Sequence, residues 1–353
     1  MNQYKAAIVG YGNMGRWHHV GICGNVGQVA FKGAYDTDPQ RCRLAEQDGL
    51  AVYSSREELL GDKEIDIVLV ATPNPLHKEI TCAALKAGKS VICEKPASMN
   101  ARELARMIKT AKKTGRVFSV HHNRRRDPDY AIIKHAVQNG LAGNVFDVKS
   151  TVFGSLGVPG GWRRSLRGGG GMLYDWGPHL IDQVLQLFPG VKVISVDCKL
   201  YHVRFQTCDD GFSLFLTFEN GTTASIEVGT SHYVHVPRWY LFGDKGSLVI
   251  EDWECNGKRI EILKNPPESK EITYSKAGPT RTMAPREKDT YEETIFHPED
   301  DSADYGDFYR NFADALDGKA ALDVKPEEIL RVMKIVDTAF KSDRKRQIIH
   351  VKI

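Results

Sequence analysis

The chain has no apolar run of the roughly 18 residues that a membrane span requires, and it enters a strand pattern at Tyr4 without the layout of a secretory leader. A cytoplasmic location is therefore expected. Paired cysteines are also missing. Cys23, Cys42, Cys82, Cys93, Cys198, Cys208 and Cys255 are odd in number and widely spaced, and no two form a C-x-x-C pair. This argues against a disulfide framework and a zinc knuckle and leaves reduced, mostly buried thiols. Nor is there an excess of one charge: 48 basic side chains against 45 acidic ones leave +3, with the basic residues scattered along the chain. Neither a nucleic-acid groove nor a membrane surface is indicated as a partner. There is no internal repeat and no low-complexity tract.

A chain of 353 residues exceeds one ordinary core and suits two folding units. From Tyr4 to about Val120, apolar runs of strand length (6–9, 30–35, 67–71, 91–93 and 117–120) alternate with amphipathic stretches at 39–47, 75–87 and 101–114. Such alternation predicts βαβ units around a parallel sheet, here over residues 1–122. The pattern then changes. A helix near 129–138 and a strand at 145–152 lead into a glycine-rich loop, 154–171, and a helix running from Gly171 to about Leu187. Strand-like runs follow at 191–203, 212–218, 222–230, 238–242, 247–252 and 259–263, joined by turns such as Glu219-Asn220-Gly221. Turns this tight predict an antiparallel sheet. The fold class is thus α/β: a doubly wound parallel sheet, then an α+β unit over 123–353 with a large, open, mainly antiparallel sheet. An open apolar face suits a homo-oligomer. Residues 265–301 show no period and read as a surface excursion able to act as a lid. Helices at 303–315 and 326–341 complete the chain, and the last of them is a candidate to pack back on the first unit.

Gly10-Tyr11-Gly12-Asn13-Met14-Gly15 follows a strand and opens a helix. In that context glycines allow a tight turn, close approach of the backbone to a pyrophosphate, and helix-on-strand packing. Asp36, at the end of the second strand, suits an adenosine ribose and repels a 2′-phosphate. It is followed by Thr37, with no arginine immediately beside it, so NAD is favoured over NADP. Ala71-Thr72-Pro73-Asn74 makes a turn at the crevice where such sheets bind ligands. Oxidising an alcohol requires a base or relay and a positive donor for a developing alkoxide. Lys95 of Glu94-Lys95-Pro96 offers the donor, and Asp175 and His179 stand at helical i, i+4 spacing. A metal held by that pair with His121 or His122 lacks a further clustered ligand, so no metal is expected.

These motifs, together with His77, His122-Asn123-Arg124-Arg125 and the run from Gly169 to His179, resemble the Gfo/Idh/MocA family of nicotinamide-dependent oxidoreductases along the whole chain. The resemblance implies an N-terminal Rossmann domain, a C-terminal open sheet that builds dimers, tetramers or larger assemblies, and hydride transfer at a carbohydrate-like carbinol. By position, Lys95 matches the catalytic lysine, His179 the acid/base histidine and Asp175 the assisting carboxylate. Trp162-Arg163 matches a pair that lies over the cofactor in some members. Cofactor contacts are expected from residues 10–14, Asp36, Thr37, residues 71–74, His77, Glu94, Lys95, Trp162 and Arg163. Substrate contacts are expected from Lys95, Asn123, Arg124, Tyr174, Asp175 and His179. The expected substrate is a sugar, polyol or glycoside, with C3 of a glycoside one candidate position. The aromatic segment His232–Tyr240 could project rings toward it. Two other functions use the same residues: a hydrolase or lyase that transiently oxidises its substrate with tightly held NAD, and a non-catalytic NAD-binding scaffold.

Overall fold

The computed structural model describes residues 3–264, 272–281, 288–297 and 304–353. Strands β1 (Tyr4–Val9), β2 (Val29–Tyr35), β3 (Ala51–Val52), β4 (Ile67–Val70), β5 (Ser90–Glu94) and β6 (Phe118–His121) form a parallel sheet in the order β3-β2-β1-β4-β5-β6. β4 and β5 are buried at every position, because helices on both faces leave no side of the strand for water. The helices are α1 (Asn13–Arg16), which continues as a wider helical turn through Ile22, α2 (Pro39–Gln47), α3 (Arg56–Gly61), α4 (His77–Lys86) and α5 (Ala101–Thr114). Their starts follow local chemistry. Asp38 accepts from the Gln40 N–H at α2, and Asn100 accepts from the Glu103 N–H at α5, while Glu103 reaches back to the Met99 N–H. α5 stops at Gly115, which takes the left-handed conformation at φ 66°.

After α6 (Pro128–Gln138) comes β7 (Val145–Phe153), then α7 (Met172–Asp175) and α8 (Gly177–Leu187). The second sheet continues with β8 (Val193–Tyr201), β9 (Gly211–Phe218), β10 (Thr223–Gly229), β11 (Trp239–Gly243), β12 (Gly246–Ile250) and β13 (Gly257–Ile262). A small hairpin, β14 (Thr273–Ser275) and β15 (Gly278–Thr280), precedes β16 (Tyr291–Phe296), and the chain closes with α9 (Gly306–Leu316), α10 (Pro326–Lys345) and β17 (Ile349–His350). The nine-stranded order is β16-β13-β12-β11-β7-β10-β9-β8-β17. All its pairings are antiparallel except β7 with β10, which run parallel. Along β9 and β10 buried and partly open residues alternate, so helices cover one face and the other stays open. Phe215 and Phe146 are exposed, and Tyr240 stacks on Phe242 at 5.6 Å.

Three expectations need correction. The helix from Gly171 to Leu187 is broken at Trp176, because Pro178 has no N–H to continue the ladder. The stretch 265–301 is not free of structure: β16 pairs with β13 along the sheet edge, and because almost none of its side chains are buried it carries no apolar alternation to read. Residues 265–271, 282–287 and 298–303, which include the expected start of the helix at 303, lie outside the described residues. The aromatic run also goes elsewhere. Trp239 is fully buried, while Tyr233 and Val234 are exposed in the turn before β11.

The two sheets are tied together from several sides. α10 packs on both α5 and β8, and the Ala101 N–H donates to Asp337 at 2.9 Å. Arg125 forms a fork on Asp182 of α8 at 2.6 and 2.7 Å and reaches Glu328 of α10 at 2.9 Å. Burial alone would raise the Asp182 carboxyl, but the Arg125 charge holds it far below the usual carboxylate range. Arg125→Met leaves that buried carboxylate uncompensated and should destabilise the protein by about 3–5 kcal/mol. The measurement is urea unfolding; Arg125→Met combined with Asp182→Leu should recover most of the loss, and an unchanged single variant would contradict this account.

Candidate active site

A cavity of about 560 Å³ opens where β1, β4 and β5 end. Gly10 (φ 98°) and Gly15 are held to glycine by space: a Cβ would lie 2.7 Å from the Ala71 carbonyl oxygen in one case and 2.2 Å from the Gly10 carbonyl oxygen in the other. At Gly12 a Cβ would meet only the Arg41 guanidinium, at 3.5 Å, so its backbone is bare toward the cavity. This cradle fits a pyrophosphate. Asn13, Met14, Ala71, Thr72, Pro73 and Asn74 line the same cavity, and Asp36 and Thr37 line an adjoining one of about 410 Å³.

Asp36 is fixed by the N–H groups of Tyr11 (2.8 Å) and Asp38 (2.9 Å). Arg41 lies 3.6 Å from it and borders both cavities. The linear sequence conceals this arginine, because one turn of α2 folds it back beside the acid. Tyr11 takes part through its backbone alone, since its buried hydroxyl donates to Asp48 at 2.8 Å. His77 stays out of the cavity and joins two of its walls, with ring nitrogens 2.8 Å from the carbonyls of Pro96 and Thr72. Asn74 donates to the Gly169 carbonyl at 2.7 Å and so fastens the turn after β4 to the glycine-rich loop. Trp162 and Arg163 line the cavity from that loop, with the guanidinium 4.4 Å over the indole. Gly170 and Met172, from the run Gly169 to His179, border it as well, and so does Pro159, which nothing in its residue type marked beforehand.

Lys95 and Asp175 meet across the crevice. The Lys95 ammonium donates to Asp175 Oδ1 at 2.7 Å and to the Asp175 carbonyl at 3.0 Å. Burial would raise the Asp175 carboxyl, yet the Lys95 charge prevails and keeps it below its ordinary value. His179, one turn further, is buried, and among the described residues its Nδ1 has no hydrogen-bond partner. Burial first, then the positive charges of Lys95 and Arg124, push its pKa well below 6.5, so the imidazole is neutral and able to accept a proton. No hydrogen bond joins Asp175 to His179; the carboxylate is committed to the lysine.

The floor beneath Lys95 is a buried polar network that motif reading did not reach. One Glu94 oxygen accepts from His18 Nε2 at 2.7 Å and from His121 Nδ1 at 2.9 Å, and His18 Nδ1 meets the Tyr309 hydroxyl at 2.7 Å. Glu94 Oε2 takes the backbone N–H of Lys95 at 3.1 Å. Burial would raise Glu94, but the two imidazoles hold it well below its usual value, and burial lowers His121 to about 4. Two imidazole N–H groups donating to one carboxylate oxygen account for these distances. By ligand type the same three residues, with atoms within 4.8 Å, are the group among the described residues that could hold a cation. Asp209, which precedes β9, accepts from the N–H of Leu173 at 2.7 Å, its carbonyl accepts from Met172, and it thereby starts the short helix that carries Asp175. Burial raises its carboxyl to about 6.

Two expected substrate contacts are directed elsewhere. The Tyr174 hydroxyl donates to the Met99 carbonyl at 2.7 Å, and its ring packs on Phe340. Asn123 is half-buried on a turn outside the cavity lining. Arg124 is outside the cavity lining as well; its guanidinium stands 4.2 Å over the ring of Trp176, the residue that follows Asp175.

Residues 4–122 match the oxidoreductase family with an NAD-binding Rossmann fold, and residues 130–249 match the Gfo/Idh/MocA C-terminal domain. The chain belongs to the Gfo/Idh/MocA oxidoreductase family. Among its members, a scyllo-inositol 2-dehydrogenase (NADP(+)) of Bacillus subtilis is 28% identical over 98% of this chain and 95% of its own length. A D-glucoside 3-dehydrogenase of Escherichia coli is 30% identical over 54% of this chain and 56% of its own. The crystal structure of an NAD-binding protein from Listeria innocua superposes with a TM-score of 0.92 at 36% identity, covering 99% of this chain and 100% of that one. In this Gfo/Idh/MocA chain the glycine cradle and the Lys95–Asp175 pair line one cavity.

Lys95→Met removes one of the charges that keep His179 neutral. The protonation midpoint of His179, followed by NMR of labelled imidazoles, should rise toward 6.5. A midpoint that stays put or falls would contradict the assigned electrostatics.

Proposed function

We propose that the protein is a nicotinamide-dependent dehydrogenase acting on a secondary hydroxyl or ketone of a sugar, polyol or glycoside. The observation that carries this reading is the 2.7 Å contact between Lys95 and Asp175 in the cavity that also holds the glycine cradle, with neutral His179 behind it. When bound, the dinucleotide supplies a hydride acceptor or donor. The protein's side chains handle the proton: Lys95 stabilises the developing alkoxide by direct donation, Asp175 holds the ammonium in place, and His179 takes the proton through a relay shared with Lys95. The names of the inositol and glucoside dehydrogenases above support a carbohydrate-like substrate.

The cofactor we assign is NAD, because the fixed Asp36 carboxylate disfavours a 2′-phosphate. Arg41 moderates that choice, since it stands where it could offset the phosphate charge. We also propose that copies of the chain associate in the cytoplasm through the open face of the nine-stranded sheet.

A panel of free sugars, inositols and glycosides with NAD and NADP, followed by nicotinamide absorbance near 340 nm, tests the reaction. Lys95→Ala and His179→Ala should each lower turnover by at least about 100-fold while dinucleotide binding, read by calorimetry, persists; near-normal rates in both would refute the assignment. Arg41→Ala should weaken NADP more than NAD in direct binding titrations, by about tenfold, and an equal effect on both would remove Arg41 from cofactor choice.

A further inference from the structure

Next to the proton-handling groups lies a row of rings that the proposed chemistry does not use. The Trp176 ring centroid is 6.3 Å from that of His179, and the Trp253 ring centroid is 6.1 Å beyond, inclined at 60°. Each indole has a guanidinium over one face, Arg124 at 4.2 Å on Trp176 and Arg238 at 4.3 Å on Trp253. The arginines are themselves held. Arg124 pairs with Asp127 at 2.8 Å, and buried Arg238 pairs at 2.8 Å with Asp129, which also accepts from the Trp239 indole at 2.9 Å.

Trp253 is carried by the connection between β12 and β13, and that connection is braced. Asp252 accepts from the Asn256 backbone and side chain at 3.0 and 2.8 Å, the Glu251 carbonyl accepts from His235 at 2.7 Å, and Cys255 takes the left-handed conformation at φ 61°. A non-glycine residue in that region is strained, so the turn is fixed by its surroundings. Yet Trp253 remains 51% exposed. The exposed part of the indole is apolar area that a ligand ring could cover with gain of dispersion and loss of hydration. His179, Trp176 and Trp253 thus form a continuous chain of ring contacts that leads from the histidine to an exposed indole.

Resting on the carbohydrate reading above, we propose that Trp176 and Trp253 form an aromatic subsite for a second ring attached to the reacting sugar, so that the preferred substrate is a two-ring glycoside. The C–H face of a pyranose, or an aryl aglycone, packs against indole by dispersion and loss of hydration, and the guanidinium on the reverse face holds each indole in position.

The test compares phenyl and methyl D-glucopyranosides, in both anomers, which share the reacting sugar and differ in the second ring. The ratio of kcat/KM for the phenyl over the methyl compound should exceed one in the parent enzyme and fall roughly tenfold in Trp253→Ala, mainly through KM, with Trp253→Phe keeping most of it. A ratio that stays within twofold in Trp253→Ala overturns the subsite while leaving the dehydrogenase reading intact. If no carbohydrate on the panel is oxidised at all, the dehydrogenase reading fails, and the subsite is judged by calorimetric binding of phenyl glucoside with and without Trp253. Loss of binding in Trp253→Ala supports it; equal affinities or no binding to the parent overturn it.

Discussion

The contact between the Lys95 ammonium and the Asp175 carboxylate is the constraint on which the site depends. Lys95 leaves the end of a parallel strand, and Asp175 ends a short helix eighty residues later, so neither partner could be placed by its own element alone. Drawing both out of water costs several kcal/mol per ion unless geometry and further hydrogen bonds offset it. Here they do: the lysine also reaches a carbonyl, its backbone N–H is held by Glu94, and Asp209 starts the helix that carries Asp175. The pair therefore fixes how the glycine-rich loop sits against the strand ends, and with it the width of the cavity.

Charge is arranged around this pair in a graded way. Glu94, beneath the lysine, is held well below the usual carboxyl range by hydrogen bonds from two imidazoles. Burial first, and then the positive charges of Lys95 and Arg124, keep His179 neutral, which is the protonation state a proton acceptor needs.

What could be read from the linear sequence was whatever the chain encodes over short distances. Gly10, Gly12 and Gly15 are explained by backbone approaches within one turn and its neighbouring strand, and the parallel sheet is announced by fully apolar runs such as Ile67–Val70. Lys95, Asp175 and His179 were singled out through their motifs, and the structure brings the first two into contact. Residues whose role depends on folding were not. Arg41 is five positions past Asp36 but returns beside it on a helix; Trp253 comes to Trp176 from a distant turn; and His18, Glu94, His121 and Tyr309 converge from four separate segments. Tyr174 misled for the same reason: flanking an active carboxylate in sequence, its side chain turns toward Met99. The parallel β7–β10 pairing escaped because tight turns describe only consecutive strands.

The first six strands are complete by His121, but they do not contain all the partners that their buried groups require. His18 waits for the hydroxyl of Tyr309, and Ser119 donates to the carbonyl of Val324. During synthesis on a ribosome, the nucleotide-binding half thus emerges with polar atoms still unsatisfied and an apolar flank still bare. Its final stability must await helices translated some two hundred residues later, so the buried polar groups of the first sheet are completed only when the second unit has been added.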